Sequence, residues 1–450
     1  MLWNKDEIIK ATGGDCEKNN WQASCICLDS RKIKKGDIFI ALKTEKSDGH
    51  KYIETAISKG AVAVIVSKKS NLDIPQILVK DTMQALTDIG IYARNKLQGK
   101  IIGITGSVGK TTTKDMLKNT LSTYGETYAT SGNLNNHLGV PLTLAHAPLD
   151  AKFIIIEMGM SSLLEIDALT KIAKPDIAVV VSVENNHIEF FDGINQIAQA
   201  KSEIFNGLNK NGIAIYNNST NCTEIILENA QQNTNNIVSY GKNNIKDIEI
   251  INNHQTVSLD ISGKEIKVKI NGLGSHRILN TLAVLNVISE LGLNLSNAVK
   301  KIQDTKPTVG RGSSEKVKIK DGEITLFDES YNASPASMRS ALEVLSLTKT
   351  KGRRIAVLGD MLELGKDSSN LHKELIDDIN KNNIDIIFAC GKYMHELYKL
   401  CPPDICGAWE NNSSILSKQV LKLLRDGDTI MVKGSLGSNM KIIIEKIKEQ

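Results

Sequence analysis

The stretch ITGSVGKTTTKDM, residues 104–116, has the pattern of a strand that runs through a glycine turn into a helix. Gly106 and Gly109 allow the backbone to turn so that its N–H groups point at phosphate oxygens. Lys110 adds positive charge, and Thr111 offers a hydroxyl group to Mg²⁺. The longer GxxxxGK[ST] pattern has glycine where this chain has Ile104, so the match is the shorter string G-x-x-G-K-T. Because of the strand before it and the threonine-rich helix after it, we predict a phosphate-binding loop.

Around this loop, short apolar runs alternate with amphipathic helical stretches, which is typical of βαβ units and mostly parallel sheets. At about 150 residues per domain, 450 residues suggest roughly three domains. Switches in the pattern place them at residues 1–97, 98–307 and 308–450. In the last block, the strings GRRIAVLGDM, IDIIFACG and DTIMVKGS each contain a predicted strand that ends in a glycine before a helix. This spacing suits a small dinucleotide-fold-like domain. The predicted fold class is therefore α/β, with three domains.

The composition is that of an ordinary globular protein, with 41% hydrophobic residues, 24% charged residues and a formal charge of +4. This balance predicts no nucleic-acid partner and no anionic membrane partner. No apolar run approaches the roughly 20 residues of a membrane helix, and the start, MLWNKDEIIK, is unlike a signal peptide, so we expect a cytoplasmic protein. Seven scattered cysteines indicate reduced thiols. The sequence is silent on oligomeric state, for which we expect a monomer.

Two further strand ends carry groups that can bind a metal ion. In open parallel sheets, ligands bind beyond the carboxyl ends of the strands. FIIIEMGM delivers Glu157 at such an end, and VVVSVENNHIEFF delivers His187. Each alone is more often a helix cap or an ordinary loop histidine, but next to a phosphate loop the pair predicts an Mg²⁺ site. Lys201, in IAQAKSEIF, lies on a predicted helix, where a solvated lysine is the usual expectation.

Eight strings then occur in a fixed order: TGSVGKTTTKDM, NLNNHLGVPLTL, EMGM, HIEFF, AKSEIF, GRG, FDESYNASPASM and LGDMLELG. Together they closely resemble the Mur ligases of peptidoglycan synthesis. LDSRKIKKGDIFIAL followed by DGH resembles that family's UDP-sugar-binding first domain, so the resemblance covers nearly the whole chain. It implies a small α/β UDP-binding domain, a central P-loop ATPase domain with a parallel sheet, and a C-terminal Rossmann-like ligase domain.

The resemblance also implies a reaction, because YNASPASM and LGDMLELG favour the branch of the family that adds D-alanyl-D-alanine. The γ-phosphoryl group of ATP would pass to the terminal carboxylate of UDP-N-acetylmuramoyl-tripeptide. The amine of D-Ala-D-Ala would then attack this acyl phosphate to form the pentapeptide precursor. The implied cofactors are ATP, two Mg²⁺ ions and a CO₂-derived carbamate on Lys201. We also expect the third domain to close over the second on substrate binding.

Site residues follow from the resemblance position by position. The implied catalytic residues are Lys110, Lys201, His187 and Arg311. The implied metal ligands are Thr111, Glu157, His187 and Lys201. The nucleotide would contact Thr105, Gly106, Ser107, Val108, Gly109, Lys110, Thr111, Thr112, Asn280, Arg311, Asp328 and Glu329. The UDP-linked substrate would contact Ser30, Arg31, Asp48, Gly49, His50, Asn133, Asn135 and Asn136.

Three positions depart from the family pattern: Glu329 follows Asp328 where a second aspartate is usual, Arg277 replaces an asparagine, and Leu436 replaces an arginine. None of these changes removes a group needed for phosphoryl transfer. One alternative function is another Mur-type amino-acid ligase. A second is a non-catalytic nucleotide-binding scaffold derived from such a ligase, which would predict loss of phosphate or metal residues that this chain retains.

Overall fold

The computed structural model describes residues 2–17, 21–186, 188–251, 253–305 and 310–450. These residues form an α/β protein of three domains, each with its own mainly parallel sheet, as the sequence predicts. The predicted boundary at 307/308 lies outside the described residues, and the boundary at 97/98 stays a prediction. Among the described residues, no helix combines the length and the apolar character needed to cross a bilayer.

The described residues of the first domain form one main parallel sheet and three α-helices. Its elements are β1 (Trp3–Asn4), α1 (Lys5–Thr12), β2 (Gln22–Ala23), β3 (Cys25–Cys27), β4 (Asp37–Ile40), α2 (Ile53–Ser58), β5 (Ala63–Val66), β6 (Gln76–Leu78) and α3 (Thr82–Lys96). The sheet has the order β3-β4-β5-β6. The apolar runs DIFIAL, AVAVIV and QILVK form β4, β5 and β6, which confirms the strands expected from the sequence. Asp81 caps α3 by accepting hydrogen bonds from the N–H groups of residues 83 and 84.

The central domain follows. Its elements are β7 (Lys100–Thr105), α4 (Lys110–Leu121), β8 (Thr127–Ala129), α5 (Gly139–His146), β9 (Phe153–Glu157), α6 (Glu165–Ala173), β10 (Ile177–Val180), α7 (Ile194–Ser202), β11 (Ile213–Asn217), α8 (Thr223–Asn233), β12 (Asn236–Tyr240), β13 (Ile245–Ile251), β14 (His254–Ile261), β15 (Lys264–Asn271), α9 (Ser275–Glu290) and α10 (Leu295–Gln303). The parallel sheet has the order β12-β11-β10-β7-β9-β8. β13, β14 and β15 form a separate antiparallel sheet, which the sequence analysis did not predict. Alternate residues of β14 are buried, including Val257, Leu259 and Ile261, because one face of this sheet packs against α9.

The third domain has the Rossmann-like arrangement that the sequence predicts. Its elements are β16 (Ser313–Ile319), β17 (Gly322–Glu329), α11 (Pro335–Leu347), β18 (Arg354–Gly359), α12 (Ser368–Lys373), α13 (Leu375–Lys381), β19 (Ile386–Cys390), α14 (Lys392–Tyr398), β20 (Cys406–Glu410), α15 (Ser413–Leu423), β21 (Thr429–Lys433) and α16 (Lys441–Lys448). The sheet has the order β16-β17-β21-β18-β19-β20, and only the β16–β17 pair is antiparallel.

The central sheet brings three loops to one edge. β7 lies between β10 and β9, with Ile104 paired to Glu157 and Thr105 paired to Val180. All three strands are parallel, so their carboxyl ends, and the loops that follow them, lie side by side. The strands are buried on both faces, which explains their unbroken apolar sequences.

Candidate active site

The phosphate-binding loop predicted from the sequence follows β7 and ends at the first turn of α4. Gly109 is the residue before the helix and has a φ of +86°, a left-handed conformation that favours glycine. The four N–H groups of residues 109–112 make no hydrogen bond to any residue that the structure describes. Unpaired N–H groups at the start of a helix carry partial positive charge and attract anions. The loop therefore offers four donors to a phosphate group.

The loop is held in this shape by the segment that follows β10. Ser107 N–H donates to the carbonyl of Ser182 at 2.8 Å, and Val108 N–H donates to the Ser182 hydroxyl at 2.9 Å. The Ser107 hydroxyl donates to the carbonyl of Glu184 at 3.0 Å. The side chain of Thr105 is buried, and its hydroxyl donates to the carbonyl of Met158. These hydrogen bonds fix residues 105–108 against the neighbouring strand ends. The N–H groups of residues 109–112 remain available to a ligand.

Lys110 and Arg311 bring positive charge to the loop from two domains. The Lys110 ammonium donates to the carbonyl of Gly106 at 2.5 Å. Burial lowers the pKa of Lys110; the charge of Glu157 partly opposes this shift, and the charge of Arg311 reinforces it. Arg311 belongs to the third domain and stacks on the ring of Tyr331, with its guanidinium carbon 4.2 Å from the ring centroid. The two cations therefore interact across the domain boundary.

Glu157, at the end of β9, is held by side chains from two other elements. One carboxylate oxygen, Oε1, accepts hydrogen bonds from Asn135 Nδ2 at 2.9 Å and from the Thr111 hydroxyl at 3.3 Å. The other, Oε2, is buried and has no hydrogen-bond partner among the residues that the structure describes, although the Lys114 ammonium lies 3.7 Å away. A buried carboxylate oxygen with no hydrogen bond is costly unless a cation compensates it. Thr111 and Glu157 thus provide the oxygen donors that Mg²⁺ prefers.

Lys201 lies near the end of α7 and is only 2% exposed, contrary to the usual expectation for a helical lysine. Burial lowers its pKa well below the ordinary value, and the nearby charge of Lys110 lowers it further. Its ammonium makes no hydrogen bond or ion pair to a described residue. The structure therefore places a buried, uncompensated amine close to the phosphate loop.

His187, the other predicted metal ligand, lies outside the described residues. Within the described parts of the chain, no group of three or more His, Cys, Asp and Glu side chains is arranged to hold a metal ion. Any cation bound by Thr111 and Glu157 would need further ligands, and Mg²⁺ commonly takes these from substrate phosphates and water.

A cavity of about 440 Å³ opens between the central and third domains. Its lining includes His276 and Arg277 from the start of α9 and Gly312, Phe327 and Glu329 from the third domain. Burial lowers the pKa of His276 to about 3, helped by the charges of Arg277 and Lys433, so the ring is neutral. Its buried Nδ1 has no hydrogen-bond partner within the described part of the chain. The cavity thus presents an unpaired ring nitrogen, a carboxylate and apolar surface.

The other predicted nucleotide residues divide between this cavity and its surroundings. Glu329 lines the cavity, whereas Asp328 is 5% exposed and accepts hydrogen bonds from the hydroxyl and N–H groups of Ser330. Asn280 does not line the cavity. It is buried against the phosphate loop, where a Cβ on Gly109 would lie 2.7 Å from its Oδ1. The structure therefore brings Asn280 to the loop and Glu329 to the cavity.

The predicted substrate residues of the first domain form two polar turns that both pack against α2. In the first turn, Ser30 is buried and Arg31 is largely exposed, with two hydrogen bonds to Asp29 at 2.9 Å each. In the second, the Asp48 carboxylate contacts His50 Nδ1 at 2.6 Å, and His50 Nε2 accepts from the N–H of Ser67.

Gly49 belongs to the second turn and is closely packed. A Cβ there would lie 2.7 Å from the backbone nitrogen of Leu42.

The three predicted asparagines after β8 have different surroundings. Asn135 contacts Glu157, as described above, and its carbonyl accepts from the N–H of Gly159. The side chain of Asn136 accepts hydrogen bonds from the N–H groups of Leu138 and Gly139 at the start of α5. Asn133 is exposed. Of the three, the structure brings only Asn135 to the phosphate loop.

Three charged residues near the site were not predicted to act there. Lys114 lies one helical turn after Thr111 and is 3% exposed, and the string GKTTTK was the available signal. Lys433, at the end of β21, is buried, and its ammonium lies 3.4 Å from Glu329 Oε2. Arg277 was noted only as a departure from the family pattern, and no sequence signal indicated its burial.

Together, the fold and the site define a three-domain α/β nucleotide-binding protein in which the phosphate loop faces charges from a Rossmann-like domain. Comparison with known families agrees. Residues 22–96 match the Mur ligase family catalytic domain, residues 104–288 the Mur ligase middle domain, and residues 314–436 the Mur ligase glutamate ligase domain. The chain belongs to the Mur ligase family.

Individual relatives are similar over the whole chain. The UDP-N-acetylmuramoyl-tripeptide–D-alanyl-D-alanine ligase of Rickettsia prowazekii is 35% identical over 99% of both chains. A crystal structure of MurF from Acinetobacter baumannii superimposes with a TM-score of 0.91 at 29% identity and covers 100% of this chain and 99% of its own. The MurF ligase of Thermotoga maritima, solved in complex with ADP, gives a TM-score of 0.82 at 26% identity, with 95% and 97% of the two chains covered.

Proposed function

We propose that the chain is an ATP-dependent amide ligase that adds D-alanyl-D-alanine to UDP-N-acetylmuramoyl-tripeptide through an acyl phosphate. One observation carries this proposal. The four N–H groups of residues 109–112, which make no hydrogen bond to a described residue, lie among the charges of Lys110, Arg311 and Glu157, with the buried Lys201 beside them. The named relatives indicate which acid and which amine are joined.

The residues of the loop would bind and orient the triphosphate. Negative charge accumulates on the phosphoryl oxygens during transfer, and fixed donors aimed at it lower the barrier. The N–H groups of residues 109–112 and the Lys110 ammonium act from the central domain. Arg311 acts from the third domain, which therefore has to be closed over the loop during the reaction. The acyl phosphate formed in this way has a good leaving group for attack by an amine.

Mg²⁺ fits the pair Thr111 and Glu157, because the buried Oε2 of Glu157 has no hydrogen bond to a described residue and the Thr111 hydroxyl lies next to Oε1. A bound magnesium ion would neutralise phosphate charge at this point. We propose His187 as a ligand of a second magnesium ion. If so, His187→Ala should raise the Mg²⁺ concentration needed for ADP binding and for half-maximal activity. An unchanged magnesium titration would contradict the assignment.

Lys201 fits the proposed role of a carbamate-bearing residue, because a buried amine with a lowered pKa is nucleophilic towards CO₂. The carbamate would provide anionic oxygen at a place where the chain offers only an amine. Lys201→Ala should lower turnover by about 100-fold or more, and formate or acetate should partly restore it. Lys171→Ala, at an exposed lysine on α6, is the control. Near-normal turnover of Lys201→Ala without added formate or acetate would refute this role.

The cavity beside His276 and Glu329 is proposed to receive the nucleoside of ATP, since a flat base suits its apolar wall and Glu329 can accept from ribose hydroxyls. We place the UDP end of the acid substrate at the two polar turns of the first domain. No disulfide bond joins any of the seven cysteines, which fits a reducing cytoplasm, where ATP is also available. We propose that the protein acts there as a monomer.

The decisive assay measures phosphate release from ATP with the acid, the amine, both or neither. A ligase of this kind releases phosphate only when both UDP-N-acetylmuramoyl-tripeptide and D-Ala-D-Ala are present, and mass spectrometry should find the pentapeptide product. A panel of UDP-muramoyl peptides and dipeptides then separates this activity from that of other Mur-type ligases. Phosphate release that is independent of both substrates would contradict the proposal.

A further inference from the structure

Arg277 is a buried arginine at the boundary between the central and third domains. It lies in the first turn of α9 and is 6% exposed. Its Nη2 donates to the carbonyl groups of Arg311 and Gly312, each at 3.4 Å. The residue thus reaches out of the central domain and contacts the turn that carries Arg311. We name Arg277, these two carbonyl groups and Glu329 the arginine clasp.

Two glycines make room for this guanidinium. A Cβ on Gly272 would lie 2.8 Å from Arg277 Nε, and a Cβ on Gly312 would lie 2.5 Å from Arg277 Nη2. Both glycines have a φ of +86°, a conformation that L side chains rarely adopt. One glycine comes from each domain, so the guanidinium occupies a slot whose two walls belong to different domains.

Glu329 supplies the negative charge of the arginine clasp. A Cβ on Gly312 would lie 2.9 Å from Glu329 Oε1, which places this oxygen on the same side of Gly312 as Arg277. Glu329 Oε2 lies 3.4 Å from the ammonium of Lys433. The carboxylate therefore stands between a cation of the central domain and a cation of its own domain. A buried charge is tolerated only where other charges and hydrogen bonds compensate it in this way.

We propose that Arg277 is a positioning residue of the ligase reaction: by fixing the 310–312 turn, it sets the side chain of Arg311 over the phosphate loop. This inference rests on the proposed function for its kinetic consequences. Arg311 acts on the transferring phosphoryl group, whereas Arg277 contacts only the backbone of that turn. A displacement of a catalytic group by about 1 Å can cost on the order of 100-fold in rate.

The test compares Arg277→Met with Arg94→Met in the chain of 450 residues. Arg94 is a matched control, because it also donates to two backbone carbonyls, those of Ala173 and Lys174, but between the first and central domains. Arg277→Met should lower kcat by about 10- to 100-fold while the KM for the UDP-linked acid stays within twofold. Arg94→Met should leave both parameters within twofold. Because an unfolded fraction would also lower the apparent kcat at an unchanged KM, each rate is normalised to the folded fraction measured by circular dichroism.

Small-angle X-ray scattering provides a readout without catalysis. The scattering profile of Arg277→Met should indicate a more open molecule than the wild type, and that of Arg94→Met should superimpose on the wild type. If the wild type does not ligate the UDP-linked acid to the amine, the proposed function is wrong. The scattering comparison would still show whether the arginine clasp holds the central and third domains together. Wild-type scattering together with a kcat within twofold for Arg277→Met would overturn the inference.

A second variant covers the case in which Arg277→Met does not fold. Arg277→Ala leaves an empty slot between Gly272 and Gly312, into which free guanidinium ion can enter. Millimolar guanidinium should raise the kcat of Arg277→Ala several-fold and return its scattering towards that of the wild type. Methylammonium, which cannot donate to two carbonyl groups in a fixed plane, should do neither. Equal effects of the two ions would contradict the proposed geometry.

Discussion

The two domain boundaries of this chain are built differently. Between the first and central domains, α3 packs against α5, and one continuous apolar core includes Trp3, Ile89 and Val140. The helices approach closely, since a Cβ on Gly90 would lie 2.6 Å from the Cα atom of Pro141. Such burial is non-directional and strongly favourable. The first two domains therefore behave as one body.

Between the central and third domains, the contacts are mainly polar. Besides the arginine clasp, the Ser275 hydroxyl donates to Glu343 Oε2 at 3.1 Å, and Lys349 N–H donates to Asn253 Oδ1 at 3.0 Å. The third domain has two apolar cores of its own, and one described residue of the central domain, Ile188, packs against one of them. Polar interfaces of this kind are typical of domains that move relative to each other. We therefore expect the boundary between the first and central domains to be rigid and the boundary between the central and third domains to open and close.

The largest expected effect comes from breaking the apolar boundary. Trp3 is 1% exposed, and its Nε1 donates to the carbonyl of Ala145 in the central domain. Trp3→Ala should lower the free energy of unfolding by about 3–5 kcal/mol, because it leaves a cavity in the shared core. Urea unfolding followed by circular dichroism measures the loss. The control is Leu2→Ala, at a residue that is 70% exposed, which should stay within about 0.5 kcal/mol of the wild type.

Hydrogen exchange shows whether this loss is shared. In Trp3→Ala, the amides of β4 and of β7 should exchange faster together, whereas those of β18 should keep their wild-type protection. Faster exchange confined to the first domain would mean that the two domains do not form one body.

A smaller effect is expected from pH at the polar boundary. The folded-state pKa of His276 is about 3, against a model-compound value of 6.5, chiefly because the ring is buried. Below pH 6.5, this histidine therefore binds a proton in the unfolded chain but not in the folded chain. As a result, the free energy of unfolding falls as the pH falls from about 6.5 towards 3. Between pH 7.5 and 5, the loss should be about 2 kcal/mol. Unfolding of the wild type and of His276→Asn at several pH values measures it. Parallel stability curves for the two proteins would show that the ring is not kept neutral.

The smallest effect concerns the hydrogen bond between Ser275 and Glu343. Both residues are partly buried, so replacing the pair should change the free energy of unfolding little. A double-mutant cycle of Ser275→Ala and Glu343→Ala should give a coupling energy below about 1.5 kcal/mol. A coupling several times larger would mean that the boundary is held as firmly as the apolar one.

The sequence predicts those parts of the site that are fixed by local chain geometry. The loop at residues 106–111 is recognised because glycine, lysine and threonine stand at set positions between a strand and a helix, and Glu157 because it ends a parallel strand. The three-stranded antiparallel sheet was missed, since its strands carry many polar residues and only β14 alternates regularly. Such a sheet becomes apparent only once α9 covers one face.

Burial of charged residues is the part that the sequence does not reveal. Lys201 and Lys114 resemble ordinary helical lysines along the chain, and both become buried because neighbouring elements close over them. Arg277 lies in a helix whose other residues are largely apolar, but its environment is created by Gly272 and Gly312 of two different domains. Long-range packing of this kind leaves no local pattern.

The fused first boundary has a consequence for the search for inhibitors. A compound that binds between α3 and α5 would have to separate a continuous apolar core. Few small molecules bind tightly enough to offset the free energy that this separation costs. A compound that binds in the cleft beside Phe327 instead has to displace only polar contacts between the central and third domains. Such a compound can keep these two domains from closing. This second cleft is the vulnerable place in the molecule.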